Sequence, residues 1–217
     1  MASRIKQSRA TQKRTLDTRA AIKAAGAELF ASRGYRATGV REIAELADCN
    51  QALVSYHFGG KGGLYDEILA DAVAEARRLA REANLVASDS PERDLVRILA
   101  RAIAARPHLA PMILREQMDP DRLLDTGTAN TLRSFMALTE GVLDSLPLDS
   151  EARRWDPQIV HLAIVGPLIH FTVAAHMRES VAAKLDPPTS TPSLDEFTET
   201  LAAMLSRALR GEGGAGP

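Results

Sequence analysis

Gln51, Ala52, Ser55 and Tyr56 share one face of any helix that spans them, because residues three and four apart are neighbours on a helix surface. Their types suit the edges of base pairs. A glutamine amide bonds adenine bidentately, an alanine touches a thymine methyl, and a serine hydroxyl takes either role. Arg41, ten residues ahead of Gln51, carries a guanidinium that pairs with guanine or with a phosphate. Tyr56, His57 and Lys61 offer hydroxyl, imidazole and ammonium groups to phosphate oxygens, as do the amides at the start of the helix that Lys61 opens. Before Asp17 stand Arg4, Lys6, Arg9, Lys13 and Arg14, a basic arm suited to counterion release and minor-groove contact. Together these residues have the chemistry of double-stranded DNA recognition.

Such side chains need a scaffold that holds them on one short helix. Ile22, Ala25, Leu29 and Phe30 recur at i, i+3, i+7 and i+8, so a first helix runs from about Asp17 to a stop at Gly34. Val40, Ile43, Ala44 and Ala47 give a short second helix, and Asp48-Cys49-Asn50 has turn chemistry, with Asn50 a good N-cap. A third helix, Gln51 to Phe58, turns Val54 and Phe58 inward and ends at Gly59-Gly60. Two short helices joined by a tight turn and packed on a preceding helix make a helix-turn-helix, whose second helix enters the major groove.

Proline and glycine punctuate the rest. A long helix is expected from Lys61 to about Val86, and others start or stop at Ser90-Pro91, Arg106-Pro107, Asp119-Pro120, Leu146-Pro147 and Pro187-Pro188. One of these is a long helix from about Asp156 to Lys184, kinked at Pro167, and the last runs from Leu194 to Arg210. No β-branched alternating run bounded by turns appears, so the chain is expected to be all-α, with about nine helices. The organisation expected is a flexible basic arm at 1–15, the helix-turn-helix domain at 16–62, a helical ligand-binding and dimerisation domain at 63–210, and a disordered tail at 211–217.

Composition supports that division. The net charge of −1, from 27 basic and 28 acidic residues, is the near-cancellation of two halves. Residues 1–65 hold eleven basic and five acidic residues, a net +6, and the remainder holds 16 and 23, a net −7. The first part can approach a polyanion and the second cannot, although a chance fluctuation of surface charge gives the same totals. A single cysteine excludes a disulfide framework and a cysteine-based zinc cluster, which fits a reducing compartment and a cytoplasmic location. Pro157 to Met177 is free of Asp, Glu, Lys and Arg over 21 residues but holds Gln158, Pro167 and three histidines; a buried helix accounts for it better than a membrane span. No metal or cofactor is expected. His161 and His170 lie on opposite faces of a straight helix, and no histidines have the i, i+4 pairing of a helical zinc site. Catalysis is not expected either. The phosphate-loop pattern suggested by FGGKGG fails at both ends, where Ser55 replaces the first glycine and Gly62 follows Lys61.

Residues 17–69, in particular FASRGYRATGVREIAELADCNQALVSYHFGGKGGLYDEIL, resemble the DNA-binding domain of TetR-type transcriptional regulators. The resemblance implies DNA contacts at Arg41, Gln51, Ala52, Ser55, Tyr56, His57 and Lys61, with Thr38, Gly39 and Val40 at a phosphate-bonding helix start. Three residues depart from the family pattern: Gly39 stands where a Ser or Thr cap is usual, Asp48 and Cys49 replace a common Gly-Val turn, and Gly62 replaces a common Glu. The segment ARPHLAPMILREQMDPDRL is similar to one in a subgroup whose C-terminal domain is named after CerR-type proteins. What the resemblance implies for the helices beyond residue 63 is a pocket for a small-molecule effector of unknown identity and a homodimer interface. Met112, Arg115, Met118, Phe135, Met136 and His170 are the residues assigned to that pocket, though the methionines and Phe135 also have the spacing of plain core. The uncharged helix 156–184 and the last helix are the dimer candidates, because a helix apolar on all sides must be covered. The function expected is a ligand-responsive repressor binding a pseudo-palindromic operator as a dimer. An architectural DNA-binding protein without an effector is the alternative, and some 150 residues of acidic helical bundle speak against it.

Overall fold

The computed structural model describes residues 2–118, 126–147 and 150–210. The expected break at Asp119-Pro120, the end of the CerR-like segment and the tail at 211–217 lie outside the described residues. Those residues form ten α-helices and two short 3-10 turns, with no strand among them. They divide into two compact units, Met1–Ala70 with Pro111–Leu123, and Asp71–Ala110 with Leu124–Pro217.

In the first unit, α1 (Ala2–Arg33) buries Ile22, Ala25, Leu29 and Phe30 as their spacing requires and stops at Gly34, whose φ is +83°. The helix starts at Ala2 and not near Asp17, so the segment expected as an irregular arm is helical. No glycine or proline occurs before Gly26, and a run rich in Arg, Lys, Gln and Ala has the propensity to continue a helix without an apolar stripe. After α2 (Val40–Leu46) and α3 (Gln51–Phe58), α4 (Lys61–Glu82) buries Leu64, Tyr65, Ile68 and Leu69 in its first turns. α6 (Leu109–Gln117) joins this unit from Pro111 onward and buries Met112. The compact units therefore part within α4, after Ala70, where the sequence suggested 62/63. Glu67 on α4 accepts from Arg19 and Lys23 of α1, and α6 reaches α1 and α4 through Arg115 and Glu116, so packing and ion pairs carry the unit past the motif.

In the second unit, the amphipathic α5 (Pro91–Ala104) buries Leu95, Val96, Leu99 and Ile103 and packs chiefly against α10 (Leu194–Arg210). α7 (Thr126–Ser145) and α8 (Pro157–Val173) complete the bundle. Polar clamps join α5 to α10. Glu92 is buried, and its Oε1 accepts from Ser206 Oγ at 2.8 Å and from Arg210 Nε and Nη2 at 2.9 and 2.8 Å. Arg97 bridges Asp94 and Glu199.

The expected helix 156–184 is two helices, α8 and α9 (Ala175–Lys184), bent by 59°, which raises the total from nine to ten. The break falls at Ala174 and not at Pro167, which stays inside α8. The reason is a local cap: the Arg178 guanidinium stacks on the Phe171 ring, 3.6 Å from its centroid, and donates to the Phe171 carbonyl, one of those left free at a helix end. Among the described residues no single helix is long and apolar enough to cross a membrane.

Candidate nucleic-acid interface

The α2–α3 unit is held by backbone and capping bonds, not by long side-chain bridges. Cys49 N–H donates to Ala44 O at 3.0 Å, and Asp48 takes a φ of +48°, which short polar residues tolerate. The Cys49 thiol is half-buried, and that burial, with Asp48 beside it, pushes its pKa up, so it remains a protonated apolar filler. Asn50 caps α3, its Oδ1 accepting from Ala52 N–H at 2.8 Å. Gly59, at φ +71°, ends α3 by donating to Ser55 O. Val54 and Phe58 are buried, as their spacing demands.

With that face inward, Gln51, Ala52, Ser55 and Tyr56 are all exposed on α3, Tyr56 by 79%. His57 is half-buried and lies edge-on to Tyr56, with centroids 5.0 Å apart. Arg41 is exposed on α2, and its Nε donates to Glu45 at 2.8 Å. Glu45 raises the arginine pKa further, so the guanidinium keeps its charge but shares it with a carboxylate. That i, i+4 pair was legible in the sequence.

Two of the expected phosphate contacts have other duties. Thr38 is 1% exposed and its hydroxyl donates backward to Gly34 O at 2.7 Å, so it neither caps α2 nor faces a partner. Glu42 does part of the capping: Oε2 accepts from Gly39 N–H at 2.9 Å, which holds its carboxyl below the usual range. This is half of a capping box, and the Gly39-x-x-Glu42 spacing would have revealed it. Lys61 is half-buried. Its Nζ donates to Tyr35 O and Thr38 O, both at 2.9 Å, and sits 4.3 Å from the Tyr35 ring centroid. Its ammonium is therefore a clamp on the loop that leads into α2, because loop carbonyls without helical partners attract the nearest cation.

The start of α4 carries no acidic residue in its first turn, so its amide dipole faces no competing carboxylate there. It also approaches α3 closely: a Cβ built on Gly63 would lie 1.9 Å from Phe58 O. Phe30, Tyr35 and Tyr65 form a cluster behind this turn, with centroids 5.2 to 5.7 Å apart, and Tyr65 Oη donates to Glu116 at 3.0 Å.

The six residues assigned to an effector pocket are not gathered at one place within either unit. In the first unit Met112 is buried, Arg115 Nε donates to Ala31 O at 2.7 Å near the end of α1, and Met118 is 74% exposed. In the second, Phe135 and Met136 are half-buried on α7 and His170 is exposed on α8. Three cavities of the second unit lie between α5 and α10, between α4 and α7, and beside the start of α5, and none of the six is among the residues that line these three. Helical spacing alone does not say which neighbour a methionine meets, and a carbonyl at a helix end draws an arginine away from a pocket.

Residues 22–68 match the model of the bacterial regulatory proteins of the tetR family. A probable HTH-type transcriptional regulator of Bacillus subtilis, YttP, is 35% identical over 72 residues, which cover 33% of this chain and only 35% of that protein. The HTH-type transcriptional regulatory protein RaaS of Mycobacterium tuberculosis is 29% identical over 58% of this chain and 69% of that one. Among solved structures, the fatty acid degradation regulator FadR of Bacillus halodurans shares the fold, with a TM-score of 0.65 over 89% of this chain and 96% of that one at 18% identity. Residues 22–68 thus match the tetR-family model, and it is through this segment that the chain is similar to TetR-type transcriptional regulators.

Proposed function

We propose that the chain is a dimeric repressor that reads a pseudo-palindromic operator with the α3 helices of two copies and leaves it when a small molecule binds the second unit. The observation that carries this reading is the outward face of α3, where Gln51, Ala52, Ser55 and Tyr56 stand exposed while Val54 and Phe58 anchor the helix from behind. Arg41 flanks that face as a second reader, and Gly39, Val40, His57 and the first turn of α4 serve as phosphate contacts. Lys61 contributes by holding the loop before α2.

A dimer is supported by the exposed side of α8. Ile159, Leu162, Gly166 and Val173 follow helical spacing along it, with Ile159 58% and Leu162 55% exposed. Met204 on α10 is 65% exposed. A row of this kind on one helix fits a self-complementary interface. Effector control requires that the small molecule bind the free form more tightly than the DNA-bound form.

The test is selection of duplexes from a randomised pool, followed by titration of variants. Arg41→Ala and Gln51→Ala are expected to relax sequence preference by about 1 to 3 kcal/mol each where the contact is bidentate. Equal operator affinity and equal preference in both variants would overturn the reading. Sedimentation at micromolar concentration is expected to give twice 23.4 kDa, and a monomer there would overturn the dimer.

A further inference from the structure

Several surface arginines hold carboxylates, among them Arg33, Arg41, Arg78, Arg97 and Arg210. Arg77 and Arg81 do not. Both are exposed on α4, four residues apart on one face, and among the described residues neither makes a hydrogen bond or ion pair, although Arg78 between them binds both Glu75 and Glu82. Two like charges at that spacing repel and weaken a helix slightly.

They border a groove of about 410 Å³ between α4 and α7, within the range of small-molecule sites. Its lining among the described residues includes no acidic side chain. Asn84, at a φ of +47°, closes α4 at the groove. Leu85 forms buried floor, Val86 is 61% exposed beside it, and Leu138 faces them from α7. Cations at the edge and aliphatic surface below match a molecule with an anionic head and an apolar body.

We propose that this groove binds an anionic amphiphile, with a carboxylate, sulfonate or phosphate head held by Arg77 and Arg81 and an apolar body lying on Leu85, Val86 and Leu138. Taken as the effector's site, it rests on the reading of the chain as a ligand-responsive regulator. Two guanidinium groups without carboxylate partners at the groove's edge can hold an anionic head through charge-assisted, bidentate bonds, and the exposed valine gives the body an apolar surface to cover.

The experiment is calorimetric titration of the full chain with decanoate and with decyltrimethylammonium, which share a tail length and differ in head charge, both below micelle formation. Decanoate is expected to bind saturably, about tenfold or more tighter than the cation, as charge-assisted bonds at the head imply. Arg77→Gln with Arg81→Gln, and separately Val86→Asp, are expected to weaken decanoate about tenfold or more while leaving the melting temperature unchanged; the exposed Val86 keeps the second variant independent of folding. Equal affinity for the two heads, or wild-type decanoate binding by the double arginine variant, overturns the proposal. Decanoate is further expected to release a selected duplex from the wild-type chain and not from the double variant. Decanoate bound without release overturns the effector role. If duplex binds and decanoate does not, the groove fails and the regulator stands; if no duplex binds, the regulator fails and the titration still decides the groove.

Discussion

The two units of the chain spend their polar groups in different ways. In the first, several side-chain bonds around α3 run to backbone: Asn50 to Ala52, Glu42 to Gly39, and Lys61 to Tyr35 and Thr38. Each shapes a turn or a helix end, and the exposed face of α3 is left unused. In the second, polar groups tie helix to helix, as in the Glu92 cluster and the Arg97 bridge, and the unused face is the apolar side of α8. On the function proposed above, the α3 surface meets a hydrated polyanion and keeps polar side chains in water, whereas the α8 surface meets another apolar surface and leaves aliphatic groups out. Part of the +6 balance of residues 1–65 is also consumed inside the first unit. Arg19 and Lys23 both bind Glu67, Arg33 binds Glu42, and Lys61 binds carbonyls.

The largest test of this contrast is Gly63→Ala. The new methyl must displace the Phe58 carbonyl, which is backbone and cannot rotate away, so a loss of about 3 kcal/mol in urea unfolding is expected. Gly62→Ala, whose Cβ would meet only the Tyr35 hydroxyl at 3.5 Å, is expected to be near neutral. Equal stability of the two variants would refute the close approach.

Next comes the second unit. Arg210→Met leaves the buried Glu92 carboxylate with Ser206 alone, and about 2 kcal/mol should be lost, at the low end for a broken buried pair because Arg210 is half-exposed. DNA affinity per folded molecule is expected to hold.

Lys61→Met separates a clamp from a phosphate contact. About 1.5 kcal/mol of stability should go with its two carbonyl bonds. Binding should weaken alike for all duplexes, and the slope of log affinity against log salt should stay that of the wild type. A slope smaller by about 0.9 would instead show that the ammonium neutralises a phosphate.

The smallest effect concerns pH. His161 is buried with Nδ1 3.0 Å from Thr139 Oγ1, and burial pushes its pKa below the ordinary 6.5. As pH falls through about 6.5 the unfolded imidazole takes a proton that the folded one refuses, so stability falls with it. His161→Gln should flatten unfolding free energy between pH 6.5 and 5 by under about 1 kcal/mol; a profile as steep as the wild type's would place the titration elsewhere.

The helix-turn-helix could be read in the sequence almost residue by residue, because each of its signals is local. Val54 and Phe58 one turn apart, Asn50 before a short helix and Gly59 after it act within a few residues of themselves. Glu42 and Glu45 are equally local, bonding Gly39 three and Arg41 four residues away. Thr38 and Lys61 were legible as types but not as roles: a threonine beside a helix start and a lysine after a turn suit a phosphate as well as a carbonyl, and the loop's fold chooses. The pocket assignment scattered for the same reason. His170 has apolar neighbours in sequence and Met118 polar ones, and both stand exposed in space.

What the sequence by itself determined is therefore the all-α class and most of the helices, the outward face of α3 and the charge division near residue 65, all consequences of periodicity, capping chemistry and composition acting over a few turns. Only the tertiary structure decided that α8 ends at Ala174 under Arg178, that Lys61 clamps a loop, that the first unit extends to Ala70 and includes α6 from Pro111, and that Arg77 and Arg81 border a groove with no acid in its lining. Each of these depends on which groups from distant parts of the chain meet, and a side chain's partner is set by where the backbone places it, not by its own chemistry.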